Sequence, residues 1–583
     1  MCWKPLGGLR NLGWFGKLAA KCEKELGRAP FRAGLSTGFI IMPKRKAIPN
    51  PPFGRAGMAL LRRKLVLAVL VAFILTLLVI LVLALLILLV AILVVVLVLA
   101  VVLVLILIVA HDFTPFCSYY DPGIKFLYKG ERMMERLPKE FLSVMEPLLG
   151  GNYSDFIQSF LQPPYRAVRL NPLKITAEKA AAVLPFRLSP APFCSESYYI
   201  DPAAQGVGSH PFHHAGAYYV QEPSAAGAVT VLDPKPGDRV LDLCAAPGGK
   251  STQIGTALRG KGLLWSNEFV KSRTGSLLSN VERMGLRNCV VSSCYPETLC
   301  KRLAGWFDKV LVDAPCSGEG MFRRNPDAVK EWSLNHTKAC AQRQEAILQT
   351  ASGAVKPGGV LVYSTCTFSP LENEGVVETF LKRNRDFELI DCGVSFGRPS
   401  GLPEARRIFP MDGGEGHFIA KLRKNEESFE SVECVEKAGI YQNNKLNQEI
   451  KASINNLLNQ LLIEIPKGTL QSFGETALLL PEGLPELSGL GVLRAGVPVG
   501  ELRRGRVEPA HGLFMASRPE ECRQVLNLTA EDPRVKAFLH GEEIDAPGFQ
   551  GFAGISVEGV MTGFGKCSGG RMKNRYPKGL RTL

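Results

Sequence analysis

Five short apolar runs alternate with helical segments between residues 238 and 365, a rhythm that predicts an α/β fold on a mostly parallel sheet. The runs are DRVLDLC (238–244), GLLWSNE (262–268), CVVSS (289–293), DKVLVDAP (308–315) and GGVLVYST (358–365). Segments such as KSRTGSLLSNVERMG and HTKACAQRQEAILQTASGAV lie between them and read as the covering helices.

The elements ahead of this region predict a small α+β domain over 133–229. LPKEFLSVMEPLL is apolar at helical spacing, and Asn152 and Ser154 are placed to cap YSDFIQSFL. YRAVRLNPLKI alternates like a strand, and TAEKAAAVL is helical. HPFHHAGAYYVQEPSA is a polar-aromatic connection. Its His210, His213 and His214 lack a further ligand at metal spacing, so no metal is expected. The sheet domain is expected over 230–424, a polar linker over 425–455, and a Gly-rich, β-rich domain over 456–583.

The net charge of +15 is unevenly spread. Residues 1–64 are strongly basic, with only Glu23 and Glu25 as acids, and residues 65–132 balance. The chain from Met133 onward therefore carries only about +3, and global basicity is no footprint of nucleic-acid binding. From Leu65 to Ala110 no residue is charged, Gly or Pro. As one helix this run would measure roughly 69 Å against a ~30 Å hydrocarbon core. A hairpin of two spans lacks a turn, and the run is too long and too late for a secretory signal. A single span behind Arg62, Arg63 and Lys64 would export everything that follows.

We therefore expect residues 1–132 to be an upstream extension outside the working protein. Leu, Val and Ile codons share a middle U, so a low-complexity tract yields such a run. Lys129-Gly130-Glu131-Arg132 also suits a purine-rich ribosome-binding stretch ahead of Met133-Met134. A membrane partner is expected only if the run is genuine; otherwise the location is cytoplasmic. The 15 cysteines form no Cys-x-x-Cys pair, which favours free thiols in a reducing compartment.

LDLCAAPGGKSTQI falls where the first strand meets the first helix, at the sheet edge where open α/β folds bind ligands. A phosphate loop would need Gly where Cys244 stands, and a dinucleotide fold would need Gly-x-Gly-x-x-Gly; neither fits. What remains is a close backbone approach at Pro247-Gly248-Gly249 to a small cofactor. Glu268, at the end of the second strand, is placed to take ribose hydroxyls. This combination fits S-adenosylmethionine.

Two further strands end in thiols, VLVDAPCSG at Cys316 and VLVYSTCTF at Cys366. CAAPGGK (244–250), DAPCSGEGMFRRNP (313–326) and YSTCTFSPLENE (363–374) resemble the Nol/Nop/Sun family of RNA cytosine-5 methyltransferases. HPFHHAGAYYVQEPSA and RMKNRYPKGLR resemble its bacterial 16S rRNA branch, which carries a C-terminal PUA-like domain. The likeness covers about 133–583. It implies a class I S-adenosylmethionine-dependent methyltransferase domain, Rossmann-like, between a small α+β domain and the PUA-like domain.

Carbon 5 of cytosine is a poor nucleophile until a thiolate adds to carbon 6, so the chemistry requires a reactive sulfur. The resemblance implies Cys366 as that nucleophile, Cys316 as the residue aiding proton removal or release, and Asp313 as a contact to the ring beside the cofactor. DNA cytosine-5 methyltransferases use the Pro-Cys thiol instead, so the residues alone leave the order open. Cofactor contacts are expected from Cys244, Ala245, Ala246, Pro247, Gly248, Gly249, Lys250, Glu268, Arg273 and Asp313. Some relatives place an Asp after strand three; SSCYPETL (292–299) has none, which passes the adenine contact to the backbone or Tyr295.

The partner implied is structured RNA, 16S rRNA or the small ribosomal subunit, with tRNA as the runner-up and the protein acting as a monomer. A non-catalytic or membrane-anchored RNA-binding protein is the alternative class. Arg169 and Asn171, in an RLN motif, are expected RNA contacts. So are Lys573, Arg575, Tyr576 and Lys578 in an acid-free basic-aromatic tail. Arg166, Lys174, Arg323 and Arg324 are weaker phosphate candidates.

Overall fold

The computed structural model describes residues 134–426, 446–503 and 506–582. The expectations for residues 1–132, the apolar run included, fall outside them. Among the described residues no helix is long and apolar enough to cross a membrane.

The α/β expectation holds. The central sheet has ten strands: β1 (Arg239–Asp242), β2 (Leu263–Asn267), β3 (Cys289–Ser292), β4 (Phe307–Asp313), β5 (Val355–Thr365), β6 (Phe387–Ile390), β7 (Arg398–Pro399), β8 (Arg406–Ile408), β9 (His417–Lys424) and β10 (Val492–Ala495). Their order is β7-β8-β9-β5-β4-β1-β2-β3-β10, with β6 paired to β9. Strands β1 to β5 are mutually parallel where they pair. Helices α1 (Gly249–Ala257), α2 (Thr274–Arg283), α3 (Leu334–Ser352) and α4 (Glu374–Arg383) connect or cover them. The chain order reverses between β1 and β4, which opens a crevice at their carboxyl ends.

The α+β domain ahead of the sheet contains helices Lys139–Leu149 and Tyr153–Ser159 and a four-stranded antiparallel sheet centred on Ala167–Leu170. Asn152 stands at the second helix's N-cap without a side-chain capping bond. The two helices pack Phe141, Met145 and Phe156 against Phe322, Trp332, Phe368 and Phe409. Phe322 and Phe368 follow the two Cys-bearing loops, so this small aromatic core braces both.

Two features of the carboxyl-terminal part differ from the expectation. Helix Gln448–Leu461 begins inside the segment read as linker, because Ile454, Leu457, Leu458 and Leu461 form a buried stripe that the surrounding polar residues mask in composition. The segment read as one β-rich domain also holds two sheets. One is a four-stranded sheet within Thr469–Pro509 and the other a five-stranded sheet within Val525–Asn574. Between strands of the first, the chain lends β10 to the central sheet, antiparallel to β3.

The last sheet does not stand alone. Its Leu526, Phe538, Ile555 and Met572 share one apolar cluster with Val168, Leu170, Phe212 and Tyr218 of the amino-terminal domain. Burial of this size joins two segments that sequence distance separates. Phe538→Ala should therefore cost about 3–5 kcal/mol, read as a lower urea midpoint. Faster hydrogen exchange at the Val168 and Tyr218 amides, hundreds of residues away, is expected with it.

Candidate active site and cofactor cradle

The loop after β1 turns sharply into α1. Gly248 has φ of 110°, a conformation that L side chains rarely adopt, and a Cβ there would press on Leu277 and Asn280 of α2 at 3.2 and 3.4 Å. Asn280 Nδ2 donates to the Pro247 carbonyl at 2.9 Å, and Ser251 Oγ donates to Asp242 Oδ2 at 2.6 Å. Burial pushes Asp242 up to about 7. Beneath the loop lies Arg169, 1% exposed. Its guanidinium donates to Gly249 O (2.8 Å), Thr252 Oγ1 (2.8 Å) and Gln221 Oε1 (2.5 Å). Burial lowers it to about 10, so it keeps its charge.

Glu268, buried at the end of β2, accepts from the Ala246 and Val270 amides at 3.3 and 2.8 Å. Arg273 pairs with Glu268 at 3.4 Å and donates to Ala246 O at 2.7 Å. Phe269 and Tyr295, after β2 and β3, are 49% and 64% exposed with ring centroids 4.7 Å apart. Large exposed rings side by side at this sheet edge form an apolar wall suited to a flat base. Phe269 was not singled out in the sequence, because an aromatic next to a strand end reads as core.

Lys250 reaches from α1 to Asp313 at the tip of β4, Nζ to Oδ2 at 2.8 Å. Ser364 Oγ donates to Asp313 Oδ1 at 2.8 Å. Burial opposes both charges. The Lys250 attraction nevertheless holds Asp313 below the usual carboxylate range, and Asp313 in turn raises Lys250. His417 on β9, with Nε2 3.3 Å from Lys250 Nζ, is driven down to about 4 by burial and by Lys250, so it stands neutral as an acceptor. No motif singled it out; only the pairing of β9 with β5 brings it here.

In-register pairing of Asp313 with Ser364 launches the two Cys-bearing loops side by side. Cys316 Sγ and Cys366 Sγ lie 3.1 Å apart, and the Cys366 amide donates to Cys316 Sγ at 3.3 Å. The hydrogen bond to Cys366, and then burial, hold the Cys316 thiol well above its ordinary value. Two buried carboxyls tie the loops together. Glu319 accepts from the Phe368 amide and Trp332 Nε1, and Glu372 accepts from the Ser317 amide and Gln344, all at 2.8–2.9 Å. Gly320 is pressed so closely between the loops that a Cβ would stand 2.9 Å from the carbonyls of Cys366 and Gly416.

The structure corrects several expected RNA contacts. Arg169 and Asn171 are buried scaffold: Asn171 Nδ2 donates to the Gly216 and Met284 carbonyls at 2.9 Å each. Tyr576 is 2% exposed inside the shared apolar cluster, its hydroxyl 3.0 Å from His214 Nδ1, so it presents no face for stacking. Arg575 pairs with Glu508 at 3.5 Å, and Arg571 with Glu543 and Asp545. The tail is acid-free in sequence but not in space. Arg323 is buried against Glu415 at 3.2 Å, and Arg166 is occupied by the Pro202 and Ala204 carbonyls. Lys573, Lys578 and Arg324 remain exposed. Among the described residues no cluster of His, Cys, Asp or Glu could hold a metal ion.

The family model for 16S rRNA methyltransferase RsmB/F matches residues 229–423, and that for the RsmF N-terminal domain matches 137–223. The RsmF first C-terminal domain matches 456–516 and the RsmF PUA domain 525–582, in line with the two sheets. Ribosomal RNA small subunit methyltransferase F of Vibrio parahaemolyticus is 32% identical over 472 residues, covering 76% of this chain and 97% of its own length.

The chain belongs to the RsmB/F family.

The namesake protein of Vibrio cholerae is 33% identical over 465 residues, with the same coverage of both chains. Among solved structures, a methyltransferase homolog from Pyrococcus horikoshii is 30% identical, with TM-score 0.44, and covers 52% of this chain and 100% of its own. As an RsmB/F member the protein is an S-adenosylmethionine-dependent RNA methyltransferase. Its own residues fit that cofactor: a Cβ-free turn at Gly248, the Glu268 carboxylate at the β2 tip and the exposed Phe269–Tyr295 wall adjoin one crevice.

Because Arg169 supports the cofactor loop from beneath, Arg169→Ala should weaken sinefungin binding by roughly tenfold in calorimetry, about the worth of one charge-assisted hydrogen bond. The salt dependence of RNA binding should stay as in the wild type.

Proposed function

We propose that this RsmB/F protein methylates carbon 5 of a cytosine in 16S rRNA through a transient bond from Cys366 to carbon 6. The observation that carries the reading is the 3.1 Å approach of Cys316 and Cys366 at the ends of adjacent parallel strands, beside the Lys250–Asp313 pair. The names of the relatives, ribosomal RNA small subunit methyltransferase F, support 16S rRNA as the substrate. A cytoplasmic location follows from that substrate.

Cys366 is the nucleophile that the Thr-Cys motif of the family implies, and its amide donates to Cys316 Sγ at 3.3 Å, which keeps the two sulfurs together. The hydrogen bond with Cys366, and then burial, raise the Cys316 thiol, and at 3.1 Å either sulfur of the pair can donate to the other. Against burial, Lys250 is raised chiefly by Asp313 and to a lesser degree by Cys366, so its ammonium faces the pocket that holds the Cys366 sulfur. The sulfur of Cys366 adds to carbon 6 of the flipped base, and the electron pair of the 5,6 double bond shifts so that carbon 5 becomes nucleophilic. Bound S-adenosylmethionine supplies the electrophilic methyl group that carbon 5 takes up. A water molecule then takes the carbon 5 proton, the electron pair of that C–H bond restores the 5,6 double bond, and the C6–S bond breaks to release the Cys366 thiolate, with Cys316 beside it to donate a hydrogen bond to the leaving sulfur.

Asp313, held ionised by Lys250, is an acceptor only. It therefore suits the exocyclic amine of cytosine, a donor that uracil lacks.

Cys316→Ala should accumulate a covalent protein–RNA adduct that survives denaturing electrophoresis, and Cys366→Ala should form none; the reverse pattern would exchange the two roles. Asp313→Asn should lower methyl transfer by roughly 10²-fold or more, since it turns one acceptor oxygen into a donor and removes the charge partner of a buried ammonium. Bisulfite mapping of total RNA with and without the gene locates the cytosine.

A further inference from the structure

The reaction just described occupies the carboxyl edge of the sheet. At the opposite edge lies a second concavity, a cleft of about 1020 Å³. Its walls come from the amino-terminal domain, the turn leading into β2, the segment between α2 and β3, and both C-terminal sheets.

The floor of this cleft is fixed. Lys174 Nζ donates to the carbonyls of Ala215 (2.7 Å) and Arg283 (3.0 Å), while Arg287 Nε donates to Ala516 O at 2.7 Å and its guanidinium pairs with Glu521. The rim is different. Lys179, Arg259, Lys261 and Lys467 are exposed, and none has a carboxylate partner among the described residues. Among the described residues, the acids lining the cleft are Glu482 and Glu520, and Glu520 lies 4.0 Å from Arg518.

Two of the rim cations sit on a tight, glycine-dependent turn. Arg259 has φ of 50°, and Gly260 and Gly262 follow with φ of 74° and 76°. A Cβ on Gly262 would stand 2.2 Å from Asp238 O, so only glycine fits where the turn that presents Arg259 and Lys261 passes close to the start of β1. Across the cleft, Lys179 Nζ lies beside the hairpin turn of the last sheet, 3.1 Å from where a Gly559 Cβ would be.

Exposed charges of one sign gathered around one cleft raise the local potential there and attract a polyanion. The cations are spread over three domains around a cleft too wide for a single phosphate, so the ligand is an extended one. We propose that this cleft grips the sugar–phosphate backbone of the RNA substrate at a distance from the target base. This deepens the rRNA reading and rests on it. Such contacts fix register without reading sequence, and the counterions they release make binding salt-dependent.

The test uses the full chain with Lys179→Ala/Lys261→Ala. The probe is small ribosomal subunits purified from cells that lack the gene. The slope of log affinity against log salt should fall by about 1.4–1.8, the release expected from two phosphate contacts, with a roughly tenfold loss of affinity near 0.1 M salt. KM should rise while kcat and sinefungin binding stay unchanged. Lys338→Ala/Lys382→Ala, which removes two exposed charges elsewhere on the sheet domain, should leave the slope alone.

An unchanged slope in the cleft variant, or an equal drop in the control, overturns the proposal. The slope needs binding only, so it decides the cleft separately. A wild-type protein that transfers no methyl group to these subunits would instead defeat the reading of the preceding subsection.

Discussion

The ion pair between Lys250 and Asp313 is the contact on which the rest of the site depends. It joins the first turn of α1 to the tip of β4, so it closes the crevice that the sheet's change of direction opens. Both groups are largely withdrawn from water, where one without the other would leave an uncompensated charge costing about 3–5 kcal/mol. The neighbours are chosen to suit. Ser364 satisfies the second carboxylate oxygen, and His417 stays neutral instead of competing as a cation. From this pair the field extends to Cys366 on one side and to the cofactor loop on the other.

Around that centre, positioning is done by groups that do no chemistry. Arg169 supports the cofactor loop, Glu319 and Glu372 bind one Cys loop to the other, and the aromatic cluster of Phe141, Phe156, Phe322 and Phe368 presses both loops from outside. Each is a buried polar or apolar contact within a dense interior, where small displacements are resisted. The sulfur atoms inherit their spacing from the register of β4 and β5, and the loops merely preserve it.

Much of this was legible in the sequence because its signals are local. A strand running into Cys-Ala-Ala-Pro-Gly-Gly-Lys, and two more ending in thiols, specify their own turns, and the parallel sheet then brings their ends together. The rest depends on long-range contacts. Arg169 and Tyr576 have the residue types of an RNA-binding surface, but the strand bearing Arg169 is buried on both faces and Tyr576 closes a core shared by distant segments. His417 sits in an ordinary strand whose importance comes only from pairing with β5. The helix at 448–461 was hidden because four apolar residues on one stripe weigh little in an average over a polar stretch.

The strand that the C-terminal region lends to the central sheet has a structural effect of its own. Without β10, the backbone of β3 would face solvent as an open rail of donors and acceptors, to which any extended peptide could add. With Gly496 N bonded to Cys289 O and Ser293 N to Gly491 O, that rail is occupied from within the same molecule. The appended domain thus acts as a built-in guard against self-association, and shortening the gene from its far end would trade a lost RNA-binding module for a sticky catalytic one.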